Sequence, residues 1–141
     1  MRVAINGFGR IGRAVFRILE SRPDVDVVAI NDLFDPNALR YLLNYDTVMG
    51  PFGAAVEVTD GALCTPNTRA KLLAEPSPLS LPWAELAIDV VVEATGIFRH
   101  REQLEAHLSA GAKRVVLTVP AADDIDYTVV LGVNDDGLLP E

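Results

Sequence analysis

The sequence predicts an α/β fold, a doubly wound and mostly parallel sheet with a small antiparallel hairpin insertion. Three observations carry that expectation. Short β-branched runs alternate with segments of helical periodicity. A glycine-rich turn joins the first of these runs to the first helical segment, and an Asp-Gly turn between short apolar runs marks a hairpin near mid-chain. At 141 residues and 15.2 kDa the chain amounts to one domain. A chain of this size buries roughly 68–70% of its unfolded surface, enough for a core of its own.

Arg2–Asn6 reads as the first strand and runs directly into the glycines. Ile11, Val15, Ile18 and Leu19 then recur at helical spacing until Pro23 stops the pattern. Val25–Ile30 is the second strand, with Asn31 and Asp32 at its carboxyl end. Pro36 to Leu43 predicts a short helix, because Asp35 can cap it and proline suits its first position. Ala55–Val58 and Ala62–Cys64 flank the Asp60-Gly61 turn, and Lys71 to Ala74 adds a further strand. Glu75–Pro82 holds three prolines in eight residues and is expected to be irregular.

Ile88–Ala94 (IDVVVEA) is a nearly continuous β-branched run, typical of a strand buried on both faces. Gln103 to Leu108 predicts a helix that Gly111 terminates. Arg114–Val119 and Thr128–Val133 are two more expected strands. The stretch between them, around Asp123–Asp126, is too short for the usual helical crossover, so the direction of the last strand stays open.

The net charge of −8 excludes nucleic acid as a general partner. Residues 1–22 nevertheless carry five arginines (Arg2, Arg10, Arg13, Arg17 and Arg22) against Glu20, which suits a small anionic ligand near the glycine turn. No apolar run reaches the ~18 residues of a membrane span, and the early glycines and arginines interrupt anything resembling a secretion signal. A single cysteine, Cys64, forms no internal disulfide, so a cytoplasmic setting is the expectation.

Gly7-Phe8-Gly9-Arg10-Ile11-Gly12 matches G-x-G-x-x-G. Its context makes the match specific: it follows a strand, opens a helix, and has an acid, Asp32, 20 residues beyond Gly12. In such a motif Gly7 permits the tight turn, Gly9 lets a pyrophosphate approach the backbone, and Gly12 lets helix and strand pack closely. The helix start offers free N–H groups and positive dipole to the phosphates. Asp32 is placed to accept the ribose hydroxyls, with a turn-capping role beside Asp35 as the bland alternative. The reading is a Rossmann-type domain whose cofactor is NAD.

The segments INGFGRIGR (5–13), AIND (29–32), LPW (81–83), VVVEATGIF (90–98), AGAKRV (110–115) and GVN (132–134) together resemble glyceraldehyde-3-phosphate dehydrogenase. Erythrose-4-phosphate dehydrogenase is a close relative that shares much of this pattern. The resemblance covers essentially the whole chain and assigns residues 1–141 to the family's NAD-binding domain. It implies that Gly7, Gly9, Arg10, Ile11 and Gly12 meet the pyrophosphate and that Asn31 and Asp32 stand at the adenine ribose. It further implies that Thr95, Gly96 and Phe98 line the nicotinamide side, with Thr118 beside the nicotinamide ribose.

There are departures. The family usually carries a basic residue and an aspartate before LPW; here Pro76 and Ser77 stand there, leaving the Pro76 carbonyl to face the adenine. Met49 and Asn44 replace a usual His and Lys without touching the cofactor site. Glu141 falls shortly before the segment in which the family places its Ser-Cys-Thr-Thr-Asn motif, so the catalytic Cys, its His partner and the substrate domain are expected outside these residues. The implied partners are NAD together with that catalytic domain or a second copy of the chain. A stand-alone, non-catalytic NAD-binding module is the rival reading.

Cys64-Thr65-Pro66-Asn67 superficially echoes the missing motif. A nucleophilic thiol needs a helix start or a neighbouring His, whereas Cys64 ends a hairpin strand and reads as a packing residue. His100 and His107 read as solvated helix positions with no ligand spacing around them, and Glu93 as a structural rather than catalytic acid.

Overall fold

The structure is a computed structural model and describes residues 1–138. Nine strands and three α-helices follow one another as β1 (Arg2–Asn6), α1 (Arg10–Leu19), β2 (Asp26–Asn31), α2 (Pro36–Asn44), β3 (Tyr45–Asp46), β4 (Gly50–Pro51), β5 (Glu57–Thr59), β6 (Ala62–Cys64), β7 (Arg69–Leu73), β8 (Val90–Glu93), α3 (Arg101–Ser109) and β9 (Arg114–Leu117). Seven strands form one sheet in the order β5-β6-β7-β2-β1-β8-β9, and β3 and β4 pair separately. Strands β7, β2, β1, β8 and β9 are mutually parallel, while β5 and β6 join as an antiparallel extension. The expected hairpin is therefore continuous with the main sheet.

The chain builds outward from β1 to β2 and β7, then returns to place β8 and β9 on the other side of β1. The sheet's topological switch thus lies at β1 and β8, where open α/β sheets bind ligands beyond the strands' carboxyl ends. Alternation along β1 feeds two cores: Val3 and Ile5 face a cluster with Phe8, Phe16, Leu39 and Leu43, whereas Ala4 faces Leu81, Trp83, Ile88, Val91 and Ala112. Helices α1 and α2 cover the first face.

The local signals behave as their chemistry requires. Asp35 Oδ1 accepts from the N–H groups of Asn37 (2.9 Å) and Ala38 (3.1 Å), with Pro36 at the first helical position of α2. Helix α3 ends in a Schellman arrangement, in which Gly111 N–H bonds Leu108 O (2.9 Å) and Ala112 N–H bonds His107 O (3.1 Å). Gly111 adopts φ +107°, and a Cβ there would lie 2.4 Å from the Ala84 Cβ. Only glycine fits that junction.

The expected strand Thr128–Val133 does not form. Side chains take the backbone groups that a sheet ladder would need: Asn134 Oδ1 accepts from Val130 N–H (2.6 Å) and Asp135 Oδ1 from Gly132 N–H (2.8 Å). Gly132 turns at φ +78°, and Val133 and Asn134 bond back to Val130 O. Turn chemistry overrides the β-branched composition. The second hairpin strand stands at Ala62–Cys64 as expected, whereas the first and the strand after the hairpin sit slightly off their expected bounds, at Glu57–Thr59 and Arg69–Leu73 rather than Ala55–Val58 and Lys71–Ala74.

Candidate functional site

All the strand ends that the sequence singles out lie along one edge. The register aligns Asn6 with Asn31 and with Glu93, Asn31 with Leu73, and Glu93 with Leu117. The residues that follow these ends (Gly7, Asp32, Pro76, Thr95-Gly96 and Thr118) therefore gather at the carboxyl edge of the five parallel strands.

The turn after β1 is shaped by two packed glycines and one open one. Gly7 has φ +92°, and a Cβ on it would lie 2.6 Å from Thr95 N. A Cβ on Gly12 would lie 2.0 Å from Gly7 O. These two glycines let the turn, helix α1 and the Ala94-Thr95 backbone close on one another. Gly9 differs, because nothing stands within 4 Å of where its Cβ would be. It is the N-cap of α1, no side chain caps that helix, and no acid occupies its first turn. Its leading N–H groups and positive dipole are thus left for an anion.

Asp32 is half-buried beside this turn. Its Oδ2 accepts from Phe8 N–H (2.7 Å) and its Oδ1 from Phe34 N–H (3.0 Å). The second bond is a local turn closure of the kind weighed against a ligand role, and the first ties the carboxylate to the glycine turn. Both leave acceptor capacity on the oxygens. Asn31, in contrast, is buried and points inward. Its Nδ2 donates to Asn6 Oδ1 (2.7 Å) and Glu75 O (2.9 Å), and its Oδ1 accepts from Glu75 N–H (2.8 Å). Asn31 secures the segment leading to Pro76, which is itself exposed.

On the other side of β1, Gly96 turns at φ +73° into open space and Phe98 is half-buried. Thr118 bonds Glu93 O through both its N–H (3.1 Å) and its hydroxyl (3.0 Å). Arg10 and Ile11 are exposed at the start of α1.

The basic N-terminal region is less available than its charge suggests. Arg2 bonds Asp26 and Leu86 O, and Arg22 bonds Asp24. Arg13 is buried between Phe8 O (3.1 Å) and Asp46 (3.5 Å), and Arg17 donates to Leu43 O and Gly50 O. Four of the five arginines are struts, leaving Arg10 as the cation at the turn.

Two other expectations change or hold. His107 is not solvated but fully buried, bonded to Glu93 and Trp83. The available signal was its position three residues after Leu104, on the buried stripe of α3. Glu93 is likewise fully buried and accepts from Asn6, Thr95 and His107, a structural role as expected. Asn6 and Trp83, whose part no local sequence pattern announces, complete this network. Cys64 ends β6 opposite Arg69, the first residue of β7, and so lies at the sheet edge remote from the glycine turn.

Comparison with known proteins gives a consistent answer. The family described as "Glyceraldehyde 3-phosphate dehydrogenase, NAD binding domain" matches residues 1–101. The glyceraldehyde-3-phosphate dehydrogenase of Thermotoga maritima is 54% identical over 99% of this chain and 42% of its own length. That of Borreliella burgdorferi is 51% identical over 96% of the chain and 41% of the relative. That of Geobacillus stearothermophilus is 47% identical over the whole chain and 42% of the relative. The chain spans less than half the length of each.

Proposed function

The chain belongs to the glyceraldehyde-3-phosphate dehydrogenase family and carries its NAD-binding domain, and from that premise we propose that it holds NAD across the carboxyl edge of its parallel strands. The observation that carries this placement is the uncapped start of α1, open at Gly9, with the Asp32 carboxylate bonded into the same turn. Gly7, Gly9, Arg10, Ile11 and Gly12 hold the pyrophosphate, and Asp32, on the strand end that Asn31 anchors, takes the adenine ribose. The Pro76 carbonyl faces the adenine. Thr95, Gly96, Phe98 and Thr118 line the nicotinamide half.

These residues suit the cofactor chemically. The N–H groups of the turn complement phosphate charge, and Asp32 offers acceptors to ribose hydroxyls. Bound NAD accepts hydride, and the protein's contribution is to bind and orient it. The reaction we propose this chain to serve is oxidation of the aldehyde of glyceraldehyde 3-phosphate to an acyl phosphate. Among the described residues no thiol reaches the carboxyl edge, since Cys64 sits at the opposite one, so this chain's share of that reaction is cofactor binding. A cytoplasmic setting is part of the proposal and rests on the single, free Cys64. No helix among the described residues is long and apolar enough to cross a membrane.

Backbone amide mapping during NAD titration tests the placement. Shifts are expected at Gly9 to Gly12, Asp32, Thr95, Gly96 and Thr118. Saturable binding whose shifts fall around Cys64 and leave those residues unmoved would sink it.

A further inference from the structure

A polar network lies buried directly under the candidate site, and the proposed function gives no role to its Glu93, His107 and Trp83. Glu93, at the end of β8, has no solvent exposure. Its Oε2 accepts from Asn6 Nδ2 (2.5 Å) and His107 Nε2 (3.0 Å), and its Oε1 from Thr95 N–H (2.9 Å) and the Thr95 hydroxyl. The other ring nitrogen of His107, Nδ1, lies 3.0 Å from Trp83 Nε1. An indole N–H only donates, so His107 Nδ1 is an acceptor and the imidazole proton sits on Nε2, directed at Glu93. Trp83 thereby sets the tautomer of His107, and His107 sets one of the bonds that orient the carboxylate.

From Glu93 the network divides towards both halves of the site. One arm reaches Thr95, whose hydroxyl also accepts from Ile97 N–H (3.1 Å) and so closes the turn around Gly96. The other passes through Asn6 to Asn31 and on to the Glu75 backbone beside Pro76. Asn6 spends its amide on Glu93 and its carbonyl on Asn31, so its orientation follows from the carboxylate's. The side chains of Trp83, His107, Glu93, Asn6, Asn31 and Thr95 are all buried or half-buried, where unpaired polar groups are costly and hydrogen bonds reinforce one another.

We propose that His107, held in one tautomer by Trp83, is a positioning residue for NAD: through Glu93 it aims the Thr95–Gly96 turn and the Asn31–Glu75 contact together. The inference rests on the placement of NAD argued above. It assigns to the buried face of α3 a share in cofactor affinity although His107 lines no part of the site.

The first test needs no variant. Trp83 is the single tryptophan and fully buried, so its indole N–H gives one resonance that reports on His107. Saturating NAD is expected to shift that resonance, because Thr95 and His107 share one carboxylate. The second test compares two substitutions in the intact chain. H107Q can keep an acceptor towards Trp83 and a donor towards Glu93, whereas H107L removes both. H107L is expected to weaken NAD about tenfold, within the range of remote coupling effects, while H107Q stays within about twofold of the parent. An unmoved indole resonance in protein that binds NAD overturns the relay, as does equal affinity of the folded H107L and H107Q proteins. Should H107L fail to fold, the indole shift decides. Absence of NAD binding by the parent chain would overturn the site placement itself.

Discussion

The backbone N–H of Phe8 donates to the Asp32 carboxylate at 2.7 Å, joining the glycine turn after β1 to the end of β2. Phe8 is itself 1% exposed and packs edge-on against Phe16 of α1, at 5.6 Å between ring centroids. The acid is therefore fixed relative to the helix start, and a ligand meets a preset negative charge beside a preset row of N–H donors.

That relationship predicts a preference for NAD over NADP. A 2′-phosphate would bring about −1.5 to −2 charges towards Asp32. One unit-charge pair at ~4 Å and an effective dielectric near 20 repels by ~4 kcal/mol. Asp32 is half-buried, so screening leaves about 2 kcal/mol of that, or roughly 30-fold in affinity. Leu33 and Phe34 follow it and supply no cation. Asp32→Asn is expected to weaken NAD and narrow the gap; equal calorimetric affinity of the parent for both cofactors contradicts the assignment.

The glycines of the turn should separate binding from folding. Gly9 has φ −71° and open space at its Cβ position, so Gly9→Ala should leave thermal stability within about 0.5 kcal/mol yet intrude where the pyrophosphate is placed. Gly12→Ala drives a Cβ to 2.0 Å from a backbone oxygen, and the helix must shift, at about 1–3 kcal/mol or more. If Gly9→Ala binds NAD as the parent does, the pyrophosphate does not lie over Gly9.

Cys64→Ser should leave NAD affinity unchanged. The thiol stands at the amino edge of β7, with Arg69 Nη1 at 3.3 Å, on the far side of the sheet from the glycine turn. A measurable loss of NAD binding would relocate the site.

What the sequence disclosed follows from how local each signal is. The glycine spacing, the strand end at Asp32 and the caps at Asp35 and Gly111 act over a few residues, and each stands where expected. The burial of His107 depends on Glu93, 14 residues away, and Trp83, 24 residues away, which no helical periodicity reveals. The arginines of α1 mislead for the same reason: the carbonyls that engage Arg17 lie 26 to 33 residues on. In residues 128–133 the error is of another kind. Valine and leucine favour a strand, yet Asn134 and Asp135 immediately downstream supply the side-chain acceptors that turn the backbone instead.

Acid should loosen the fold first where Asp46 anchors the segment after α2. Its Oδ1 accepts from the N–H groups of Val48 and Met49, both at 2.9 Å, and its Oδ2 faces Arg13 at 3.5 Å, with both side chains 10% exposed. The backbone bonds from Met49 and Val48, then the Arg13 guanidinium, hold this carboxyl below the usual carboxylate range. Asp89, just before β8, is lowered similarly by Arg2 N–H and Lys113. For a group whose folded pKa is depressed, the unfolded chain binds the proton first. The stabilisation is therefore complete above the ordinary carboxylate pKa near 4 and disappears as pH falls through the lower folded value. Asp46→Asn is expected to lower the melting temperature at pH 7, because Asn cannot pair with Arg13 and leaves that buried guanidinium unbalanced. The difference from the parent should shrink below about pH 4, as the parent's own carboxyl takes up its proton. Melting curves recorded from pH 7 to pH 2 check this directly: a difference that stays constant across the range would mean that Asp46 contributes shape rather than charge.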